Sequence, residues 1–367
     1  MLIEPEPDPF EGIPAGEGIL LAFSGGIDSS AAAWLCSRAG FRVQAVYLRM
    51  NPSDPPEGPD RMRRTAEALG LSVTVLDCVE RFREEVMHRC CRIFESGRTP
   101  NPCVLCNPLF KFGLLRDYGR KIGCAAMATG HYARRNRSRN EAEGPILFRG
   151  ADPVKDQSYF LYGLSAEQLE YCCFPLGNMT KNEVRVLVRD LNLPNAQAKE
   201  SQDVCFVPPG EQAGEYLHRF FHCPDRPGCF VDMSGCVLGR HGGIHAFTPG
   251  QRKGTGVALG RPAYVRSLDP VRGDIVLTDD SAMLMSRRFQ AEQLRLSTVV
   301  SDREIFRADV QIRYRGRPAP AEITRLSPDA ALVRFDEPQR AITPGQAAVF
   351  YDGIRQLGGG IIAETEF

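Results

Sequence analysis

The chain has 367 residues, with 45 Lys plus Arg against 45 Asp plus Glu and 43% hydrophobic residues. That length implies two or three domains with real cores, and a formal net charge of zero excludes a global field that draws the chain to nucleic acid. The acidic, Pro-rich start at 1–16 has no basic n-region, and no apolar run approaches membrane-spanning length, so the expectation is a cytoplasmic protein without a membrane partner, whose thirteen cysteines are thiols, ligands or sulfur carriers rather than disulfides.

In chain order, 18–23 reads as a strand and 29–39 as a helix, with Ser24-Gly25-Gly26-Ile27-Asp28-Ser29-Ser30 between them. Strand 42–48 follows, then a Pro-rich loop at 51–59, helix 60–69, strand 72–76, helix 81–96 and a loop at 98–108. Helix 111–122 and strand 125–128 lead into Thr129-Gly130-His131, where Gly130 is the better ligand contact and His131 a satisfied turn residue. This alternation implies a parallel sheet covered by helices on both faces. Ligands of such sheets sit beyond the carboxyl ends of the strands, where the turns after Phe23, Leu48 and Ala128 lie. The stretch 165–193 is helical in pattern, 200–209 a loop or short strand and 210–221 a helix. From 228 to about 280 short apolar runs are broken by Gly and Pro. After about 291 strand follows strand, at 308–313, 319–326, 330–335, 346–351 and 356–363, which reads as a small antiparallel barrel. The expected division is 1–209, 210–285 and 286–367. Two arginine clusters, at 134, 135, 137 and 139 and at 313, 315 and 317, read as solvated faces when taken alone.

The segment 24–30 makes an anion site from a strand, a Ser/Gly turn and a helix start, whose backbone N–H groups point at the ligand. No Lys follows the turn, so it is not the Walker A pattern. Ser-Gly-Gly-x-Asp-Ser resembles the PP-loop of ATP pyrophosphatases. That resemblance implies that the hydroxyls of Ser24 and Ser29 hold the pyrophosphate of ATP and that Asp28 helps place Mg²⁺.

Two cysteine segments stand out. Thr99-Pro100-Asn101-Pro102-Cys103-Val104-Leu105-Cys106-Asn107 presents a C-x-x-C in a loop shaped by prolines, and Glu200-Ser201-Gln202-Asp203-Val204-Cys205-Phe206 presents a single thiol. A thiolate is the useful nucleophile and a nearby cation lowers its pKa, with Arg98 and Lys111 as candidate neighbours. Cys36, Cys78 and Cys124 read as core thiols, and Cys90-Cys91 and Cys172-Cys173 suit neither a zinc knuckle nor an easy disulfide. The spacings of Cys223, Cys229 and Cys236, near His222 and His241, match no standard zinc motif.

Together with Lys155-Asp156-Gln157-Ser158-Tyr159-Phe160-Leu161, Gly250-Gln251-Arg252-Lys253-Gly254, Thr343-Pro344-Gly345-Gln346 and 357–361, these segments resemble the tRNA-specific 2-thiouridylases from Ile19 onward. The resemblance implies an α/β fold: an N-terminal PP-loop (adenine nucleotide α hydrolase-like) parallel sheet, a small central domain and a C-terminal antiparallel β-barrel. It implies ATP-dependent thiolation of the wobble uridine of tRNA, with a sulfur-donor protein as a second partner. ATP falls to Ala22, Phe23, Ser24, Gly25, Gly26, Ile27, Asp28 and Ser29, with Leu48 and Gly130 at the adenosine. tRNA falls to Asn101, Pro102, Cys103, Lys155, Asp156, Gln157, Arg313 and Tyr314, and catalysis to Cys106, Cys205 and Asp28. The family pattern has Asp where this chain has Cys103, which leaves two mechanisms open. Cys106 and Cys205 work as a persulfide pair, or Cys103, Cys106 and Cys205 hold a 4Fe-4S cluster with one iron open for sulfide. The rivals are an amidotransferase-type synthetase or lysidine-forming ligase with a PP-loop, a non-catalytic RNA-binding protein, and a sulfur or iron–sulfur carrier.

Overall fold

The computed structural model describes residues 8–136, 144–198, 204–257 and 262–366. The sequence segments 200–203, Arg137 and Arg139 lie outside the described residues.

Five strands form the first sheet: β1 (Gly18–Ala22), β2 (Arg42–Arg49), β3 (Val73–Asp77), β4 (Ala126–Ala128) and β7 (Cys172–Cys173), in the order β3-β2-β1-β4-β7. All their pairings are parallel. β1 is apolar along its whole length because both its faces are covered. One face packs under the helices Ile27–Arg38, Asp60–Ala68 and Lys181–Asp190, and the other under the helical stretch 102–121. The strand order reverses at β1, so the turn after β1 and the turn after β4 face one crevice.

Three features differ from the expectation. Helix forms from Pro102, not from 111: Asn101 caps it, Pro102 occupies its first turn, and helical structure continues through the π-helical turns Asn107–Leu114 to Lys121. Cys103 and Cys106 therefore sit one helical turn apart. The stretch 165–193 is interrupted, because after the helix Ala166–Tyr171 the residues Cys172 and Cys173 form the edge strand β7. Arg134 and Arg135 belong to a hairpin, β5 (Ala133–Asn136) and β6 (Ile146–Arg149), and Arg135 is buried with its Nε on the Cys172 carbonyl.

The chain then forms a four-stranded sheet from β8 (Gly228–Val231), β9 (Val237–His241), β10 (Tyr264–Leu268) and β11 (Ile275–Thr278). The last unit contains β12 (Met285–Leu296), β13 (Ile305–Gln311), β14 (Ala319–Ser327), β15 (Ala330–Arg340), β16 (Ala347–Asp352) and β17 (Arg355–Glu366). Its sheet closes through the β12–β17 pairing into an antiparallel barrel, and the β5–β6 hairpin extends it at β17 through Arg355 and Phe148. The N-terminal unit thus lends a hairpin to the barrel. Among the described residues, no helix is long and apolar enough to cross a membrane.

Candidate active site

The turn after β1 is built for an anion. Gly25 has φ +68°, and a Cβ there would lie 2.4 Å from Met62 Cα. Only glycine fits that close approach. Ser24 and Ser29 face each other with hydroxyl oxygens 3.2 Å apart, and the Ser24 hydroxyl accepts from the Gly26 N–H at 3.3 Å. No side chain caps the helix Ile27–Arg38, so its first N–H groups stay available to a ligand. Gly130 closes the crevice from β4: a Cβ there would lie 3.1 Å from the Ser29 nitrogen. His131 is turned away, donating to or accepting from Thr129 Oγ1 at 2.8 Å and packed against Phe112 and Phe174. Burial among those rings, reinforced by Lys111, holds its pKa well below the usual imidazole range.

Three residues at this turn went unread in the sequence. The buried Lys181 donates from Nζ to Asp28 Oδ1 at 2.6 Å, and the Tyr132 hydroxyl donates to the same oxygen at 2.7 Å. Asn195, also buried, donates through Nδ2 to the Gly25 carbonyl at 3.0 Å and to Ser30 Oγ at 2.8 Å. The signal for Lys181 was Thr180-x-x-Glu183, a capping box that starts a helix and sets Lys181 in its first turn. Nothing local marks Asn195.

The thiols gather around Lys111. Cys106 is buried, with Sγ 4.0 Å from Met50 Sδ; Cys103 is half-buried; Cys205 is exposed. Phe206 anchors the Cys205 segment by packing edge-on against Phe82 at 5.7 Å. Burial raises the pKa of all three thiols, Cys106 to about 12, while the Lys111 ammonium acts on each in the opposite direction. Cys205 is felt at Cys106, and Cys103 at both other thiols, so the three share one electrostatic neighbourhood. Burial wins over the cation, and the resting thiols are protonated. No hydrogen bond joins any two of the three sulfurs. Arg98 is not among their neighbours: it donates to Glu292 Oε1 at 2.5 Å and to the Ile362 carbonyl at 3.1 Å, in the barrel.

The barrel presses on the cysteine segment. Gln346 Nε2 donates to the Thr99 carbonyl at 3.1 Å, Thr99 N donates to the Pro344 carbonyl at 2.8 Å, and a Cβ on Gly345 would lie 2.8 Å from Thr99 N. Asn107 Nδ2 donates to the Phe160 carbonyl at 3.0 Å. The segments 155–157 and 313–314 belong to one network. Arg149 bonds Asp156 Oδ2 at 2.8 Å and Gln311 Oε1 at 3.1 Å, and its guanidinium lies 3.5 Å from the centre of the Tyr351 ring. Gln311 Nε2 donates to the carbonyls of Arg313 and Tyr314. The Asp156 carboxylate is buried and also accepts from Gly150 N and Ser158 N, and Gln157 bonds the Tyr132 backbone, so both work inside the fold. Lys155 is half-exposed beside them. Tyr314 packs on Phe160 with centroids 4.4 Å apart and the rings tilted by 40°, and it feels the charge of Cys103, which puts an aromatic pair beside that thiol.

Three family models match the chain. The one described as tRNA methyl transferase HUP domain covers 17–209, the tRNA methyl transferase PRC-barrel domain covers 215–279, and the aminomethyltransferase beta-barrel domain covers 286–362. The tRNA-specific 2-thiouridylase MnmA of Syntrophotalea carbinolica is 41% identical over 94% of this chain and 98% of that protein. The tRNA-specific 2-thiouridylase MnmA of Chloroflexus aggregans is 39% identical over 95% of this chain and 99% of that protein. Among solved structures, a 4-thiouridine synthetase–RNA complex with bound ATP aligns over 56% of this chain and 51% of that chain, with 16% identity and a TM-score of 0.33, too distant to carry an argument.

Proposed function

This chain belongs to the tRNA-specific 2-thiouridylase family, and from that premise we propose that it adenylates the C2 oxygen of the wobble uridine of tRNA and replaces that oxygen with sulfur. A uracil carbonyl has no leaving group. Attack of its oxygen on the α-phosphorus of ATP expels pyrophosphate, which leaves AMP as the group to be displaced at C2. The turn 24–29, with its glycine-lined cradle and open helix start, holds the phosphates. One Asp28 oxygen is taken by Lys181 and Tyr132, and the other is the donor suited to Mg²⁺, which neutralises the charge on pyrophosphate as it leaves. Leu48 and Gly130 border the adenosine side, and Ala22 and Phe23 lead into the turn. Asn101, Pro102, Cys103, Lys155, Arg313 and Tyr314 face the tRNA, the base leaving its stack to enter the pocket. Asp156 and Gln157 support that surface from within.

The observation that carries the reading is a thiol pair of unequal exposure in one electrostatic neighbourhood: Cys205 exposed, Cys106 buried. An outward thiol suits loading by a sulfur-donor protein. The terminal sulfur of a Cys205 persulfide attacks C2, Cys106 attacks the inner sulfur, AMP departs, and a Cys106–Cys205 disulfide remains for an external thiol reductant to reopen. The second reading is favoured by one observation: the third thiol, Cys103, lies in the same neighbourhood. Three converging thiols suit the ligand set of a 4Fe-4S cluster. When bound, such a cluster supplies sulfide from its open iron; the chain's part is then to hold the cluster through Cys103, Cys106 and Cys205 beside the activated base.

Iron and acid-labile sulfide after anaerobic purification decide between the two. Stoichiometric cluster, lost in Cys103→Asp, selects the second reading. Absence of iron after reconstitution, with Cys103→Asp still active, selects the first. ATP-dependent 2-thiouridine formation that survives both Cys106→Ser and Cys205→Ser would sink both readings.

A further inference from the structure

A second cluster of metal-ligating side chains lies away from the thiols of the candidate active site. Cys91 and Glu95 sit one turn apart on the helix Arg89–Glu95, and Cys223 follows the helix Ala213–Phe220 that packs on it. The Cys91 and Cys223 sulfurs are 3.4 Å apart, and the donor atoms of Cys91, Glu95 and Cys223 lie within 4.8 Å of one another. A disulfide needs about 2.0 Å, whereas two sulfurs on a tetrahedral zinc with bonds of about 2.3 Å stand about 3.8 Å apart. At 3.4 Å the two thiols hydrogen-bond, and the spacing is close to that of two ligands of one ion.

We propose that Cys91, Cys223 and Glu95 form a zinc site that staples the central segment of the chain to the catalytic domain. Behind Glu95 stands a polar shell. His218 Nδ1 bonds Glu95 Oε1 at 2.8 Å, the other ring nitrogen of His218 meets Asp225 Oδ1 at 3.1 Å, and His245 stacks on His218 at 3.8 Å. A carboxylate ligand fixed by an imidazole that is fixed by a second carboxylate is the arrangement of an outer shell. Two thiolates select a borderline-soft ion such as Zn²⁺ over Mg²⁺ or Ca²⁺. Binding releases the two thiol protons to solvent and forms two Zn–S bonds and one Zn–O bond, with water in the fourth position. The spacing arguments of the sequence missed it because the ligands come from two separated helices. Of Cys223, Cys229 and Cys236, only Cys223 takes part.

The place gives the ion a task. The helical stretch 79–95 carries Phe82, which anchors Phe206 next to Cys205, at one end, and Cys91 and Glu95 at the other. An ion on Cys223 therefore ties down the chain on the far side of the Cys205 segment.

The test uses the full chain in a Cys103→Ser, Cys205→Ser background, so that those two thiols cannot hold the metal. The metal-stripped protein is titrated with Co²⁺ and with Zn²⁺, and retained metal is counted after dialysis. One equivalent retained, with thiolate-to-cobalt charge-transfer absorption that disappears in Cys91→Ser and Cys223→Ser, is the expected result. Glu95→Gln, which keeps the side-chain shape, and His218→Ala should each weaken binding by about ten- to a hundredfold. No retained zinc and no charge-transfer band overturns the site. So does binding unchanged in Cys91→Ser and Cys223→Ser but lost in His218→Ala, which would put the ion between Glu95 and the histidines. Should the cysteine variants fail to fold, an unchanged affinity in folded Glu95→Gln overturns it.

Discussion

Lys181 Nζ lies 2.6 Å from Asp28 Oδ1, an ion pair between the first turns of two helices that both open on the ATP crevice. The lysine is buried, and Asp28 is about one-third exposed at 37%. Lys181 orients the carboxylate and places a cation within reach of the phosphate turn. Lys181→Met should raise the KM for ATP and lower pyrophosphate release in the presence of tRNA by about ten- to a hundredfold. Because Asp28 can turn to water, the stability cost should be only about 1–2 kcal/mol. Wild-type kinetics in the folded variant would remove Lys181 from the site.

Gly25→Ala tests the turn itself. The added Cβ meets Met62 Cα at 2.4 Å with φ at +68°, so two penalties act together. The expected loss is about 2 kcal/mol or more, read as a fall in Tm, with ATP binding abolished because the turn must open. Gly123→Ala is the control: its φ of +76° is similar but no atom lies within 4 Å of the new Cβ, so it should lose stability through the backbone alone and keep ATP binding.

The parts of this protein legible in its sequence are those governed by local chemistry. The turn 24–30 announces itself through glycines and hydroxyls, the sheet through apolar runs such as 18–22, and the barrel through alternating strands. Residues whose role is set by distant partners were silent. Asn195 reaches back to Gly25 over 170 positions, and Arg149 joins Asp156 to Gln311 across the hairpin and the barrel. Cys172-Cys173 reads as helix because two residues carry no period of their own; pairing with β4 makes them strand. The helix at Pro102 was legible after all, since Asn-Pro is a cap followed by a first-turn proline, but three prolines within 100–108 suggested a loop.

Arg149 is the keystone between the two segments read as tRNA contacts. Its loss strands the buried Asp156 carboxylate and frees Gln311, which holds the Arg313 and Tyr314 carbonyls. Arg149→Ala should cost about 3–5 kcal/mol. Arg149→Lys keeps a charge but neither the fork nor the flat stack on Tyr351, and should fall between wild type and Arg149→Ala in Tm. Both variants should weaken tRNA binding even though Arg149 is not placed on the tRNA surface. Unchanged affinity at a lowered Tm would restrict its role to stability.

The buried thiols set an alkaline limit. Burial pushes Cys36, Cys106 and Cys172 up to about 12 from an ordinary value of 9.0. A group whose folded pKa is raised stabilises fully below its unfolded value and loses that contribution as pH climbs toward the folded one. Stability against urea should therefore hold below about pH 9 and fall from there toward pH 12, at up to about 1.4 kcal/mol per pH unit for each thiol. Cys36→Ala should flatten the fall. A midpoint independent of pH from 9 to 11 would contradict the assignment.

Reactivity separates the thiols proposed for sulfur transfer. Cys205 is exposed but its pKa is raised above the ordinary thiol value, chiefly by desolvation, with Lys111 working against the rise. Only the thiolate attacks, so its fraction grows about tenfold per pH unit below the pKa. Alkylation by iodoacetamide, followed site by site by mass spectrometry, should label Cys205 well before Cys106, with a rate still climbing between pH 7 and pH 9. Lys111→Met removes the opposing cation, moves the pKa further up and should slow labelling at pH 8 several-fold. A plateau already reached at pH 7.5 would mean a preformed thiolate at Cys205, and labelling of Cys106 ahead of Cys205 would reverse the outward and inward roles given to the pair.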